Sequence, residues 1–238
     1  FVTSVATGIL TVSLLDHAPA FVTQTVNRVV EHTIETVAAA APAIMVQAPA
    51  PSNQDLVTAA IGAAATRAVA IYSADTGTST PAITVGTYIP KARAVATAAL
   101  ESLPKEALIE FTDGSHVAAS LSHQGRGIAI YGFADGATLP KMTSPALVAT
   151  ADLKLGETVV ALGADGAAST GIVARVSSTK GVFTTLPDIG VGSAAVDLSG
   201  NLIGISGGDM AGLLISSDRI TVLLNATSTT ATSTTPTR

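Results

Sequence analysis

Imidazoles and carboxylates are the groups in this sequence with the most chemistry to offer, and imidazoles are scarce. The four histidines are His17, His32, His116 and His123. His116 and His123 stand seven residues apart around a predicted strand, which would place them on opposite faces if that strand were regular. Asp113 is a third candidate ligand. A metal ion needs three or four converging groups, and nothing in the spacing fixes Asp113, His116 and His123 together. Surface histidines on a hairpin are the simpler reading, and no metal is expected. The carboxylates of Asp113, Asp135 and Asp165 each precede a glycine. Asp-Gly is what a tight turn asks for, so a backbone role accounts for all three. Gly204 to Gly208 reads GISGG. It lacks the lysine and the strand-to-helix setting of a phosphate loop, and reads as the end of a strand. No cofactor is expected.

Composition narrows the field further. The chain has 238 residues, no Cys, no Trp and a formal net charge of -5. Without Cys there is no disulfide scaffold, thiolate metal site or thiol nucleophile. Hydrophobic residues make up 47%, charged residues 12% and aromatic residues 3%. So few charges exclude a highly charged disordered chain. The acidic balance excludes a nucleic-acid binder, which needs clustered Lys and Arg. The aromatics are too few for cages or base-stacking platforms.

The elements that must position any site lie in the middle of the chain, because the two ends have a different texture. Residues 1–15 (FVTSVATGILTVSLL) carry no charge. They are shorter than the roughly 20 apolar residues of a membrane span. They read as the C-terminal part of a span or as a signal segment, with an ordinary buried helix or strand as the alternative. Residues 16–52 read as a stalk and an Ala/Pro linker. Within them, Val22, Val26, Val29, Val30, Ile34 and Val37 form a helical stripe. Residues 22–37 could self-associate through that stripe, or form a stalk without a partner. The Ala-Pro repeats of 38–52 favour a semi-rigid extended linker. Residues 225–238, rich in Thr and Ser, read as a disordered tail.

Between these ends, residues 55–65 predict a short helix. Short runs of Val, Ile and Ala then alternate with turn signals. Strands are expected at 68–73, 83–89, 94–98, 107–111, 115–122 and 127–133. A second set is expected at 146–149, 158–162, 169–177, 181–185, 194–197, 202–206 and 212–215. Spacing near ten residues per strand, without long amphipathic helices, predicts antiparallel barrels or sandwiches rather than a βαβ fold. The parity of Val159, Ala161, Ile172, Ala174, Ile203 and Ile205 fits half-buried strands. The expected architecture is all-β: a first barrel at 53–135 and a second at 145–224.

Several of these segments resemble the trypsin-like serine proteases of the bacterial HtrA (DegP) type. Asp197 to Ile205, DLSGNLIGI, is similar to the strand-turn-strand that follows the family's nucleophile. Leu155 to Gly163, LGETVVALG, is similar to its L-G-E-x-V-x-A-I-G. Thr170 to Val176 (TGIVARV) and Glu110 to Ala118 (EFTDGSHVA) match two further stretches. The resemblance covers about residues 57–224 and implies a trypsin-like double barrel.

It also implies where a catalytic triad would stand. A serine protease needs a nucleophilic hydroxyl, an imidazole to take its proton and a carboxylate to orient that imidazole. The family's His follows T-A-A; here Thr97-Ala98-Ala99 is followed by Leu100. Its Asp opens a D-L-A-L strand; here Gly127 opens Gly127-Ile128-Ala129-Ile130. Its Ser sits in G-N-S-G-G-P-L; counting back from Asp197 puts Val191 there. The glycine that shapes the oxyanion loop corresponds to Ile189, followed by Gly190. A register shift of two would offer Ser193, but breaks the spacing to Asp197 and Gly200 and still leaves no base. The resemblance therefore implies a degenerate member without a catalytic triad.

Two function classes remain. One is a pseudoprotease domain that binds a peptide or protein, or serves as a structural module of the envelope, with open strand edges for strand addition. The other is an active serine endopeptidase with a non-standard site. The apolar start and the linker fit an extracytoplasmic protein tethered to a membrane by its N-terminal segment. Leu100 and Val191 are expected to pack across the barrel interface and to leave the old cleft apolar and partly filled.

Overall fold

A computed structural model describes residues 50–230 of the chain, and side chains from 50 to 226. The expected membrane or signal segment, the stripe at 22–37, His17, His32 and residues 231–238 lie outside the described residues.

The first element, α1 (Asn53–Arg67), starts at a capping box. The Ser52 hydroxyl accepts from the Asp55 amide, and the Asp55 carboxylate accepts from the Ser52 amide. The Ser52 hydroxyl, then the Ser52 amide, hold the Asp55 carboxyl below its ordinary range. Ala60 and Ala64 face inward, small enough to bring the helix close to the sheets. Arg67 ends it, buried, and donates to the carbonyl of Gly200 at 2.6 Å across 133 residues.

Twelve strands follow. The first six are β1 (Ala68–Ser73), β2 (Thr84–Ile89), β3 (Ala94–Ala98), β4 (Glu106–Phe111), β5 (His116–Gly125) and β6 (Ile128–Phe133). They close into a barrel in the order β1-β2-β3-β6-β5-β4. The second six are β7 (Thr158–Leu162), β8 (Ala168–Ser177), β9 (Gly181–Thr184), β10 (Ala194–Val196), β11 (Leu202–Ser206) and β12 (Leu213–Ser216). They close in the order β7-β8-β9-β12-β11-β10, which repeats the first order with six added to each label. Two six-stranded antiparallel barrels of one topology make the trypsin-like double barrel. A second helix, α2 (Ser217–Thr230), follows β12 directly.

Three apolar clusters hold this together. Val69, Ile71, Val95, Ile109 and Tyr131 fill the first barrel. Val159, Ala161, Val173, Val182 and Ile203 fill the second. The third lies between them, built from Ala60 and Ala64 of α1, Ala94, Ala96, Ala98, Ile128 and Ile130, Val160, Val196 and Ile205, and Ile220 of α2. Alternation along β3 shows the logic: Val95 points into the barrel while Ala94, Ala96 and Ala98 point at the neighbour. All five residues of β3 are consequently buried, as are all five of β11.

The structure departs from expectation in several places. β7 and β11 are buried on both faces rather than half-buried, because the interface cluster covers their outer face. Ile172 is 43% exposed while Val173 is buried. Residues 146–149 form no strand; Leu147 makes one parallel bridge to Leu202. α2 runs to Thr230, into the segment expected to be a disordered tail from 225. Closure gives every strand two neighbours, so the open edges expected for strand addition are absent from both barrels.

Within the first barrel, the Tyr131 hydroxyl donates to the carbonyl of Pro104 at 2.7 Å. Burial pushes its pKa up to about 12, against about 10 for an unfolded tyrosine. A folded-state pKa above the unfolded one means stability that is full below pH 10 and is lost as pH rises toward 12. In chemical denaturation from about pH 9 to 12, Tyr131→Phe should start about 1 kcal/mol less stable, having lost one hydrogen bond. It should then lose less with rising pH than the parent. Parallel pH curves for parent and variant would show that Tyr131 is not the titrating group.

Candidate functional site: the degenerate triad positions

Each position singled out by sequence lies at the end of a strand bordering the interface between the barrels. Leu100 follows β3 by two residues. Ala99, just before it, donates its amide to the carbonyl of Gly127 at 2.8 Å, so the first two triad positions are neighbours across the β3–β6 pair. The Leu100 carbonyl accepts from Gln124 Nε2 at 3.3 Å. Gly127 sits at φ +84°, in the turn before β6.

The third position arrives from the second barrel, on the loop before β10. The Val191 carbonyl accepts from Thr84 Oγ1 at 3.1 Å. Gly192, next to it, approaches the first barrel so closely that a Cβ there would overlap the Val85 carbonyl oxygen and lie 2.7 Å from Thr97 Oγ1. Thr97 is held in turn by its own bond to Val85, at 2.6 Å. This loop is therefore seated directly on β2 and β3.

The side chain closest to where a Cβ on Gly127 would stand is Ile215, on β12. Its Cδ1 would lie 3.1 Å from a Cβ on Gly127 and 3.1 Å from a Cβ on Gly207. A Cβ on Gly208 would overlap Val191 Cγ2. Val191 packs against the interface cluster as expected, and Ile215 joins it there. Sequence reasoning missed Ile215 because it belongs to a different segment of the chain, and only barrel closure brings β12 alongside the β5–β6 turn. The alternation Leu213, Ile215 against Leu214 was the available signal.

The polar groups beside this packing are Arg219, whose Nη1 would lie 4.0 Å from a Cβ on Gly127, and the hydroxyls of Thr84 and Thr97. Ile189 is buried in the second barrel, and its carbonyl accepts from Ser193 Oγ at 2.6 Å and from the Ala164 amide at 3.0 Å. Ser193 is 2% exposed, with its hydroxyl committed to a carbonyl that cannot take its proton. An oxyanion site needs amides aimed at open space. Here the Gly190 amide donates to Asp188 Oδ1 and the Gly192 amide to the Ser206 carbonyl, at 3.0 Å and 2.9 Å. The Ser193 amide turns back on the Gly190 carbonyl at 3.4 Å.

Two of the four histidines, His116 and His123, are among the described residues. His116 and His123 are both on β5, and His116 Nε2 is 3.7 Å from Glu110 Oε1. A bulge between Leu121 and His123 adds one residue and reverses the parity of the strand beyond it. The strand is thus not the regular one on which opposite faces were expected. The Asp113 carboxylate accepts from the Ser115 amide at 2.8 Å, as a turn residue does. Among the described residues no three His, Cys, Asp or Glu come together in a way that could hold a metal ion.

Compared with protein-family models and with curated proteins, the chain matches none. No helix among the described residues is long and apolar enough to cross a membrane.

Proposed function

We propose that this chain is a catalytically inactive trypsin-like domain, a pseudoprotease resembling the HtrA type. In this reading it is tethered to a membrane by its N-terminal segment on the extracytoplasmic side, and it binds a peptide or protein or serves as a module of the cell envelope. The observation that carries the loss of activity is the packing of Ile215 against Gly127, where a catalytic carboxylate would stand. It is supported by the Ser193 hydroxyl, turned to the Ile189 carbonyl rather than toward a base. Since the barrels are closed, a partner is taken in a cavity rather than on a strand edge. One cavity of about 720 Å³ suits this: Ile89, Ile130, Leu147 and Leu224 give it an apolar lining, with Lys91 and Arg93 among its polar groups.

A fluorophosphonate probe, which reacts with activated serines, should leave the purified protein unlabelled. Labelling that disappears in Ser193→Ala would overturn the proposal and establish an active endopeptidase with a non-standard site. The tether is tested by fractionating cells that make the full-length protein. Recovery with the membrane fraction is expected, and recovery only in the soluble cytosol would refute it.

A further inference from the structure

We propose that a second cavity, formed by the β5–β6 turn, the β8–β9 turn and the start of α2, binds a small oxyanion, a carboxylate or phosphate group. It has a volume of about 330 Å³ and is lined by Arg126, Ser178, Ser216, Asp218, Arg219 and Val222. Binding there does not depend on whether the old cleft is inactive.

Arg219 is fixed in place. Its Nη1 donates to the Arg126 carbonyl at 2.9 Å and its Nη2 to the Thr179 carbonyl at 2.5 Å, so it bridges the two turns. A guanidinium has five N–H donors, and these two bonds leave the others available to an acceptor. Arg126 is one of two non-glycine residues at positive φ among the described residues, at +53°. With Gly127 it makes a turn in which both central residues have positive φ, a setting that favours Asn or Asp before glycine. The arginine in this turn is a second cation in the cavity lining.

Ser216 supplies a hydroxyl. It is 7% exposed and lines the cavity. The single acid in the lining is Asp218, whose Oδ2 accepts from the Thr150 amide at 3.1 Å and from the Thr150 hydroxyl; against its one negative charge the two arginines leave the lining net positive. The ion pair found among the described residues is His116 with Glu110, so neither arginine is paired with a carboxylate among the described residues. Two guanidiniums beside a serine hydroxyl recognise an oxyanion through charge-assisted bonds, forked in the case of a planar carboxylate. The exposed Val222 adds an apolar wall for whatever carries the oxyanion.

The test is an NMR titration of the full chain with inorganic phosphate and, separately, with acetate, each against sodium chloride at equal ionic strength. Saturable shifts are expected at the Arg126 and Arg219 side-chain N–H signals and at the Ser178 and Ser216 amides. The arm that saturates at lower concentration identifies the preferred oxyanion. Arg126→Gly keeps the carbonyl that Arg219 uses and suits the left-handed turn, so it should fold at least as stably as the parent. Its affinity should fall about tenfold or more, as expected for one charge-assisted contact. Absence of saturable shifts with both anions, or equal affinity in Arg126→Gly, would overturn the proposal.

Discussion

Gly192→Ala should be among the most damaging single substitutions in this protein. Gly192 lies at φ +84°, where a Cβ costs about 1–2 kcal/mol by itself. The added methyl would also overlap the Val85 carbonyl oxygen. That oxygen belongs to β2, which is paired on both sides in a closed barrel and cannot retreat alone. Relief must come from lifting the 190–193 loop, which breaks the bonds from the Gly192 amide to Ser206 and from Thr84 to Val191. The expected loss is about 4 kcal/mol or more, a large part of a typical total stability. Gly136→Ala is the control, since Gly136 has φ +85° with nothing within 4 Å of an added Cβ. It should cost only the conformational part, about 1–2 kcal/mol. Urea midpoints of the two variants decide the matter. Equal losses would mean that the loop is not seated on β2 and β3.

Rebuilding the triad should fail. In Leu100→His/Gly127→Asp/Val191→Ser, the aspartate must adopt φ +84° and place its Cβ 3.1 Å from Ile215 Cδ1. The serine gives up the apolar contact that Val191 makes with the interface cluster, worth about 1–2 kcal/mol for a partly buried valine. The combined cost is roughly 3 kcal/mol, a fall in Tm near 10 °C for a domain of this size. No casein cleavage is expected, because the amides of Gly190, Gly192 and Ser193 are already spent on internal bonds and Ile189 remains in the loop. A triple variant as stable as the parent that cleaves casein would mean that the cleft is open and preorganised.

Most of the strands could be read from the sequence for a physical reason. Alternating burial leaves a period of two, and Asp-Gly turns at 113–114 and 165–166 join β4 to β5 and β7 to β8. β1, β3, β7 and β11 lie where that pattern places them. α2 was hidden by composition: Ile220, Leu223 and Leu224 have helical spacing, but they stand in a run of Thr and Ser that reads as a tail. The resemblance marked Leu100, Gly127 and Val191 as the candidate positions, by residue type alone. The site was not legible as packing, because Ile215 reaches Gly127 only through barrel closure and the seating of the two barrels. The arginines at 126 and 219 are 93 residues apart in the chain, and no local pattern connects them.

The interface cluster also sets the order in which the chain becomes safe during synthesis. Ala94, Ala96, Ala98, Ile128 and Ile130 face outward from the first barrel, and their partners are Val196, Leu202, Ile205 and Ile220. When residue 133 leaves the ribosome, all six strands of the first barrel exist, yet of the cluster that covers its outer apolar face only α1 has been made. Roughly 60 to 90 further residues must be made first, which takes several seconds at ordinary elongation rates of about 5–20 residues per second. Throughout that interval the nascent first barrel presents a sticky apolar surface, the kind of exposure that draws chaperones or leads to aggregation.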